Sequence, residues 1–477
     1  MRLPVSLSAI LLFGGAVHAA GYSFPDLGAR QLARGGTGAA SGGEVGALYY
    51  NPAALLGAPL SVQFDGMMLL QHIDFQRVSP NGSAGHYDQV SNAAGPFANT
   101  LSGAAWTRSR DGVPLFAVAA GIYGPSANGH LLFPDPAGRS PNNVLKQTPQ
   151  RYELIESNII VLYPTLAMAW RPLSWLDVGI AYSVRSSTTD NTLTLYAAPT
   201  SGEDPEWDAR AQIKTHDFGY RLHGPWSGDS KESTGRLNVG LLVRPPGLDG
   251  FSIGLSGHPS EAINATGTLN TVPPDNAKIV QARVIGDSIS VLYNYAAEAR
   301  LGVRYATSNW AVEFDTVYEG WSALKRFHVE PHGMKIEETS GGKTTTQDVA
   351  PIDIEKDWRD VFSLRAGGEW RPHGGPLTLR LGALVEPSAI PTSTLSVDFP
   401  NTESAGVSIG AEYAVTDHLT VALAYERLIS PTQQIRDSQI IQPVAQAGVT
   451  PQKVGNGDLN ASLDYFSVGI GYTFAAP

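Results

Sequence analysis

Along most of the chain, apolar and polar residues alternate with a period of two. Between Tyr465 and Phe474, the residues Phe466, Val468, Ile470, Tyr472 and Phe474 share one face, and Ser467, Gly469, Gly471 and Thr473 share the other. Successive strand side chains point to opposite faces, so this pattern predicts a strand with one apolar side. The same alternation recurs in Val178 to Arg185, Val291 to Tyr305, Trp310 to Glu319 and Leu377 to Glu386. Two packings produce such strands. In a soluble sandwich the apolar face is the core; in an outer-membrane barrel it meets lipid, and the polar face lines a lumen. Length separates the two. Soluble strands average ~5–6 residues and tilted spanning strands need ~9–11, and Leu292 to Tyr305 falls in the longer class.

The connections point the same way. Tight ones at Arg110-Asp111-Gly112, Pro172-Leu173 and Thr416-Asp417 oppose long polar ones at Pro125 to Arg151, Pro199 to Glu232 and Pro331 to Lys356. Short turns at one end and long loops at the other characterise transmembrane barrels. Trp170, Trp175, Trp310, Trp370, Tyr472 and Phe474 stand near strand ends, as girdles at the two membrane interfaces would. Strands are expected near 60–71, 99–109, 113–124, 157–171, 175–197, 235–245, 250–269, 289–305, 308–328, 357–371, 376–386, 403–415, 418–429 and 461–474. The expected fold is all-β, a fourteen-stranded antiparallel transmembrane β-barrel, and fourteen is an even number, as single-chain bacterial barrels require.

Composition narrows the function classes. The 477 residues are 42% hydrophobic and 16% charged, with no Cys and a net charge of -11. Mean hydropathy is -0.10, and no apolar run beyond the N-terminus is long enough for a spanning helix. Without Cys there are no disulfides, thiolate metal sites or Cys nucleophiles. The acidic balance excludes nucleic acid as a partner, because phosphate binding needs clustered Lys and Arg.

The N-terminus carries a secretory signal: Arg2, an apolar Leu7 to Val17, and small residues at Val17-His18-Ala19. Cleavage is expected after Ala19, which divides the chain into a signal peptide (1–19), an N-terminal hatch or plug (20–57) and the barrel (58–477). No Cys follows the cleavage site, so no lipid anchor on Cys is expected. Residues 20–57 show little alternation and many small residues, yet Leu48, Tyr49, Tyr50, Leu55 and Leu56 need burial. A barrel of about fourteen strands has a lumen too wide for its own side chains to fill. The plug therefore belongs inside it.

Enzyme motifs fail on context. Gly250 to Gly254 and Gly406 to Gly410 both spell the nucleophile-elbow pattern, but both lie within alternating strands rather than at a strand-to-helix turn. In His328-Val329-Glu330-Pro331-His332, Pro331 forbids the helix that a His-Glu-x-x-His zinc site needs. No catalytic residue, metal site or cofactor is assigned, and the chain is read as not an enzyme.

Several stretches carry a family resemblance: Ala20-Gly21-Tyr22, Gly28 to Ala40, and above all Asn51-Pro52-Ala53 after Ala47-Leu48-Tyr49-Tyr50. Gly121 to Pro125, Trp310 to Trp321, Glu355 to Asp360, Glu386-Pro387-Ser388 and Tyr472-Thr473-Phe474 continue it. In these the chain resembles the FadL family of outer-membrane long-chain fatty acid transporters, which includes TodX-like aromatic hydrocarbon channels. The resemblance implies a barrel with an N-terminal hatch, a substrate groove among extracellular loops, a lumen pocket, and lateral exit where the third strand kinks at Gly121, Gly124 and Pro125. It implies passive uptake of long-chain fatty acids or another hydrophobic small molecule by a monomer, in contact with outer-membrane lipid and lipopolysaccharide. Arg185, on the polar side of its strand, matches a lumen arginine of the family and is the first headgroup candidate; Lys325, continuing the lumen parity of its strand, is the second. A lumen salt bridge with Glu298, Glu313 or Asp315 is the alternative for each. Leu131, Leu132 and Phe133 form an apolar loop patch, the kind of surface that binds ligand, with self-packing of the loop as the alternative. Fatty acid and aromatic hydrocarbon both remain open, and a general porin or an outer-membrane adhesin or lipolytic enzyme are the competing classes.

Overall fold

The computed structural model describes residues 26–474, apart from 79–86, 125–128, 135–147, 199, 223–231, 273–280, 341–342 and 445–448. The expected signal peptide, Ala20, Gly21, Tyr22 and Pro125 lie outside the described residues.

Fourteen antiparallel strands form the wall. They are β1 (Ser61–Arg77), β2 (Phe97–Arg110), β3 (Val113–Tyr123), β4 (Glu156–Leu173), β5 (Leu176–Ser183), β6 (Arg236–Val243) and β7 (Phe251–His258), followed by β8 (Ala297–Ala306), β9 (Trp310–Gly320), β10 (Val361–Trp370), β11 (Leu377–Glu386), β12 (Ser404–Ala414), β13 (Leu419–Ile429) and β14 (Gly457–Thr473). Each pairs with its neighbours in this order, and β1 pairs with β14 along its whole length, from Ser61 opposite Thr473 to Arg77 opposite Gly457. The ring is closed, so no strand edge is left open within it. Phe64, Leu166, Phe314, Leu381 and Val407 are exposed on the outer face. Asp177, Arg300, Glu313, Arg365 and Glu426 are buried on the inner one. That inversion of the soluble pattern is what period two produces when lipid replaces water outside.

The turns obey local chemistry. Asp111 and Gly112 both have positive φ, 52° and 76°, as a two-residue hairpin with the native strand twist demands, and Asp-Gly is suited to it. The six predicted girdle aromatics do not mark two interfaces. All lie at the short-turn end, where Trp310 pairs with Trp370. At the long-loop end Tyr318 and Phe362 (5.0 Å) and Phe218 and Tyr220 (5.9 Å) take that place.

Four strands expected to be continuous are each broken in two: at Val184, at Pro259-Ser260, at Ala296 and at Trp321 to Lys325. Beyond these breaks a rim sheet of Arg185–Tyr196, Asp208–Gly219, Glu261–Val272, Ser288–Tyr295, Arg326–Pro331 and Ile352–Glu355 continues the wall. Below the seam β6 lies between β5 and β7; above it Asp208–Gly219 takes that place. The exchange of partners forces the breaks at Val184 and at Pro259-Ser260, and Pro259, with no N–H to donate, suits the second. Lys325 consequently does not continue a lumen face: it follows the turn Trp321–Ala323 and is exposed.

Residues 26–58 pack against the inner face. They contain α1 (Ala29–Leu32), α2 (Ala47–Tyr50) and a 3-10 turn at Pro52–Leu55.

Candidate functional site

The segment of residues 26–58 is held differently on its two sides. Against β9 to β12 it is held by charge. Asp315 accepts the N–H groups of Gly38 (2.9 Å) and Ala39 (3.0 Å), and Glu313 accepts that of Ala40 (2.8 Å). Arg30 pairs with Glu412, and Arg365 bridges Asp26 and Glu386. Against β2 to β5 the contacts are close and mostly apolar, with a long hydrogen bond from the Thr107 hydroxyl to the Leu55 carbonyl (3.5 Å), and among the described residues no ion pair crosses. Val45 lies over Gly103 and Leu48 over Gly121, and a Cβ at Gly179 would overlap the Pro52-Ala53 peptide. Wall glycines let the backbone of the segment approach the barrel backbone.

Asn51 ties the segment together. Its side chain accepts from Ala53 N–H (3.0 Å), capping the 3-10 turn, and donates to the carbonyls of Ala39 (2.7 Å) and of Leu241 on β6 (3.0 Å). An Asn at this point satisfies a helix N-terminus with one end and two carbonyls with the other.

From the long-loop end to this segment runs a succession of rings. Phe327 stacks on Phe399 (5.7 Å between centroids), followed by Trp358 (5.3 Å), Trp321 (5.2 Å) and Tyr295 (5.1 Å). The Arg236 guanidinium lies over both Tyr295 (5.7 Å) and Tyr163 (4.2 Å). Tyr163 stacks on Tyr123 at 5.3 Å, and Tyr123 meets Tyr49 (5.2 Å), which meets Tyr50 (4.9 Å). These separations lie in the favourable aromatic range. At the seam, Tyr49, Arg236, His258, Tyr295, Glu298, Glu319 and Trp321 enclose a cavity of about 10 Å³, room for roughly one water molecule.

Tyr123 is also the last residue of the third strand. The β3 ladder runs unbroken through Gly121 on both sides and pairs Tyr123 with Tyr163. Gly124 N–H still reaches the Thr100 carbonyl (3.1 Å), and Gly129 accepts from Ile159 N–H of β4 (2.8 Å); His130 then pairs opposite Asn158.

The headgroup and groove candidates take their places as follows. Arg185 is buried and paired with Glu261 (2.6 Å) and Asp217 (2.8 Å), not with Glu298, Glu313 or Asp315. Both sides of its charge are matched. Leu131 and Phe133 are fully buried and Leu132 partly so; the patch is packed within the loops rather than open. The seam brings together Arg236, His258, Glu319 and Trp321, which sequence reasoning did not single out. The one available signal was His258-Pro259, a proline interrupting an alternating run.

Residues 143–474 match the family model described as outer membrane protein transport protein (OMPP1/FadL/TodX). No curated protein matches the chain in sequence. Among solved structures, a Pseudomonas aeruginosa FadL homologue superposes with a TM-score of 0.70 at 13% identity, over 95% of this chain and 100% of that one. The Pseudomonas putida toluene transporter TodX gives 0.62 at 14% identity, over 95% and 99%. The CymD monoaromatic hydrocarbon channel gives 0.59 at 14%, over 94% and 98%. At such identities the likeness establishes the fold.

Proposed function

Because the chain belongs to the outer membrane protein transport family OMPP1/FadL/TodX, whose members lie in the bacterial outer membrane, we propose that it takes up hydrophobic small molecules passively, long-chain fatty acids or related amphiphiles first among them. The mature chain begins after Ala19 in this reading, and residues 20–57 act as the hatch. Substrate is caught among the loops around Leu131, Leu132 and Phe133, which must shift to admit it, and descends along the rings from Phe399 to Tyr123. It leaves sideways between β3 and β4, around Gly121, Gly124 and Pro125, after the hatch yields on its apolar side.

The succession of rings carries this reading. An alkyl tail gains ~0.8 kcal/mol per CH₂ buried, so an apolar track outcompetes a wet pore. Arg185 positions Glu261, and through it Arg236, rather than meeting a headgroup itself. Lys325, exposed at the long-loop end, is left as a first contact for an anionic head. The rings also favour a second substrate class, aromatic hydrocarbons, which stack on them. A general porin would need an open lumen.

Deleting Ala20 to Leu56 tests the reading. A hatch-gated transporter loses selective uptake of long-chain substrates in whole cells. Unchanged selectivity would overturn the hatch assignment, and unchanged conductance to small polar solutes would point to a porin.

A further inference from the structure

The seam cavity has a polarity that an apolar track does not require. Of the groups around it, Arg236 uses Nε on Glu261 (2.8 Å) and Nη2 on the Tyr163 hydroxyl (3.0 Å). Its Nη1 has no partner among the described residues. Trp321 Nε1 is buried and equally unpartnered. These are two spare donors. His258 Nδ1 lies 3.0 Å from the Pro259 carbonyl, which can only accept, so Nδ1 carries the proton and Nε2 presents a lone pair. The Glu319 carboxyl is buried and accepts no hydrogen bond among the described residues. These are two spare acceptors.

The charges around the cavity are already committed. Arg185 and Arg236 share Glu261, Arg185 also holds Asp217, and Arg300 holds Glu298 at 2.7 Å. The three guanidinium groups are thus matched by three carboxylates, Glu261, Asp217 and Glu298, and none is left over for Glu319. Arg365, the next cation along the wall, is taken by Asp26 and Glu386. A further anion here would meet Glu319 and the His258 lone pair with no free cation to offset them, in surroundings where like charges repel strongly. A group with no polar atom would leave all four spare positions unsatisfied, which also costs.

We propose that this pocket receives the polar end of an amphiphile as a neutral group that both donates and accepts, an alcohol or an undissociated carboxylic acid, in preference to a carboxylate. The hydroxyl proton goes to Glu319 or to His258 Nε2, and its oxygen accepts from Trp321 Nε1 or Arg236 Nη1. The tail lies along the rings, with Tyr49 of the hatch displaced to make room. This rests on the uptake reading above.

The test is calorimetric binding to the purified full-length barrel in amphipol at about pH 8, where a free fatty acid is ionised. The probes are 1-dodecanol, dodecanoate and dodecyl methyl ether, which share a chain length and differ in what the head can donate. Expected is an alcohol bound about tenfold tighter than either of the others. Glu319→Gln is expected to bring alcohol and carboxylate within about threefold, and Trp321→Phe to weaken the alcohol by about threefold while keeping the ring (a factor of ten being ~1.4 kcal/mol). Carboxylate bound as tightly as alcohol by the wild type overturns the proposal and leaves the uptake reading standing. So does a preference unchanged in both variants. Failure of all three probes to bind overturns both. Should Glu319→Gln not fold, the wild-type panel and Trp321→Phe still decide.

Discussion

The two sides of the N-terminal segment contrast sharply. Toward β9 to β12 it is fastened by charge-assisted hydrogen bonds and buried ion pairs, through Asp315, Glu313, Glu412 and Arg365. Toward β2 to β5 it is chiefly packed, apolar side chain on wall glycine, with one long hydrogen bond from Thr107. The first kind of contact is directional and costly to break, because each partner left behind is a buried charge. The second is lost gradually and leaves nothing unpaired. The difference says where the segment would give way in the uptake reading proposed above: on the packed side, with the charged side as the pivot. The packed side is the one facing the end of the third strand.

The largest disturbance should come from the charged side. Arg365→Leu removes the cation that Asp26 and Glu386 share, and loss of one partner of a buried pair costs ~3–5 kcal/mol. Expected is a marked fall in the thermal unfolding midpoint, followed by circular dichroism; an unchanged midpoint would mean that the charged anchor is dispensable. Next comes the packed side. Gly179→Leu drives a side chain into the Pro52-Ala53 peptide, an overpacking of ~1–3 kcal/mol. The barrel should fold and the segment be displaced, seen as increased ion conductance in planar bilayers; a silent Gly179→Leu would remove the packed contact from the account.

Asn51→Ala should be milder. It removes a cap worth ~1 kcal/mol and the tie to Leu241, so leakiness without loss of the fold is expected, and amide exchange at Ala53 should quicken. The smallest effect belongs to the loops. Burial pushes the Glu153 carboxyl up to about 8 while one oxygen accepts the Val397 N–H. The folded loops therefore hold a proton that the unfolded chain releases near 4.5. Loop stability is full below that value and declines as pH rises toward 8. Amide exchange around Val397 should quicken over this window, and Glu153→Gln should flatten the dependence.

Much of the barrel was legible because its signal is repeated. Each wall strand announces itself by alternation, and one residue of slip would turn lipid-facing Phe466 or Val468 inward. The break at Val184 was not legible, since alternation continues across it and only the exchange of β6 for Asp208–Gly219 creates it; alternation also runs through the break at Ala296, whose two halves keep the same neighbours. The seam pocket was hidden as well. Arg236, His258 and Glu319 sit on β6, β7 and β9, and no local pattern says that they line one cavity. Arg185 was found as an inner-face cation, but its partners Glu261 and Asp217 lie on rim strands whose register no local pattern encodes. Asn51-Pro52-Ala53 was recognisable as a motif, while its reason, a cap that also grips the wall, needed coordinates.

The absence of Cys from the chain permits a direct test of the pivot. Val45→Cys with Gly103→Cys places a disulfide across the packed side, where a Cβ at Gly103 lies 3.0 Å from the Val45 side chain. Ala29→Cys with Gly469→Cys places one between α1 and β14, away from the packed side, where the corresponding separation is 3.1 Å. Whole-cell uptake of a long-chain substrate is then measured oxidised and after reduction. Uptake abolished by the first bridge, restored by reductant and left intact by the second is the predicted result. Uptake that survives the bridge between positions 45 and 103, or that is lost only with the bridge between positions 29 and 469, would contradict the account.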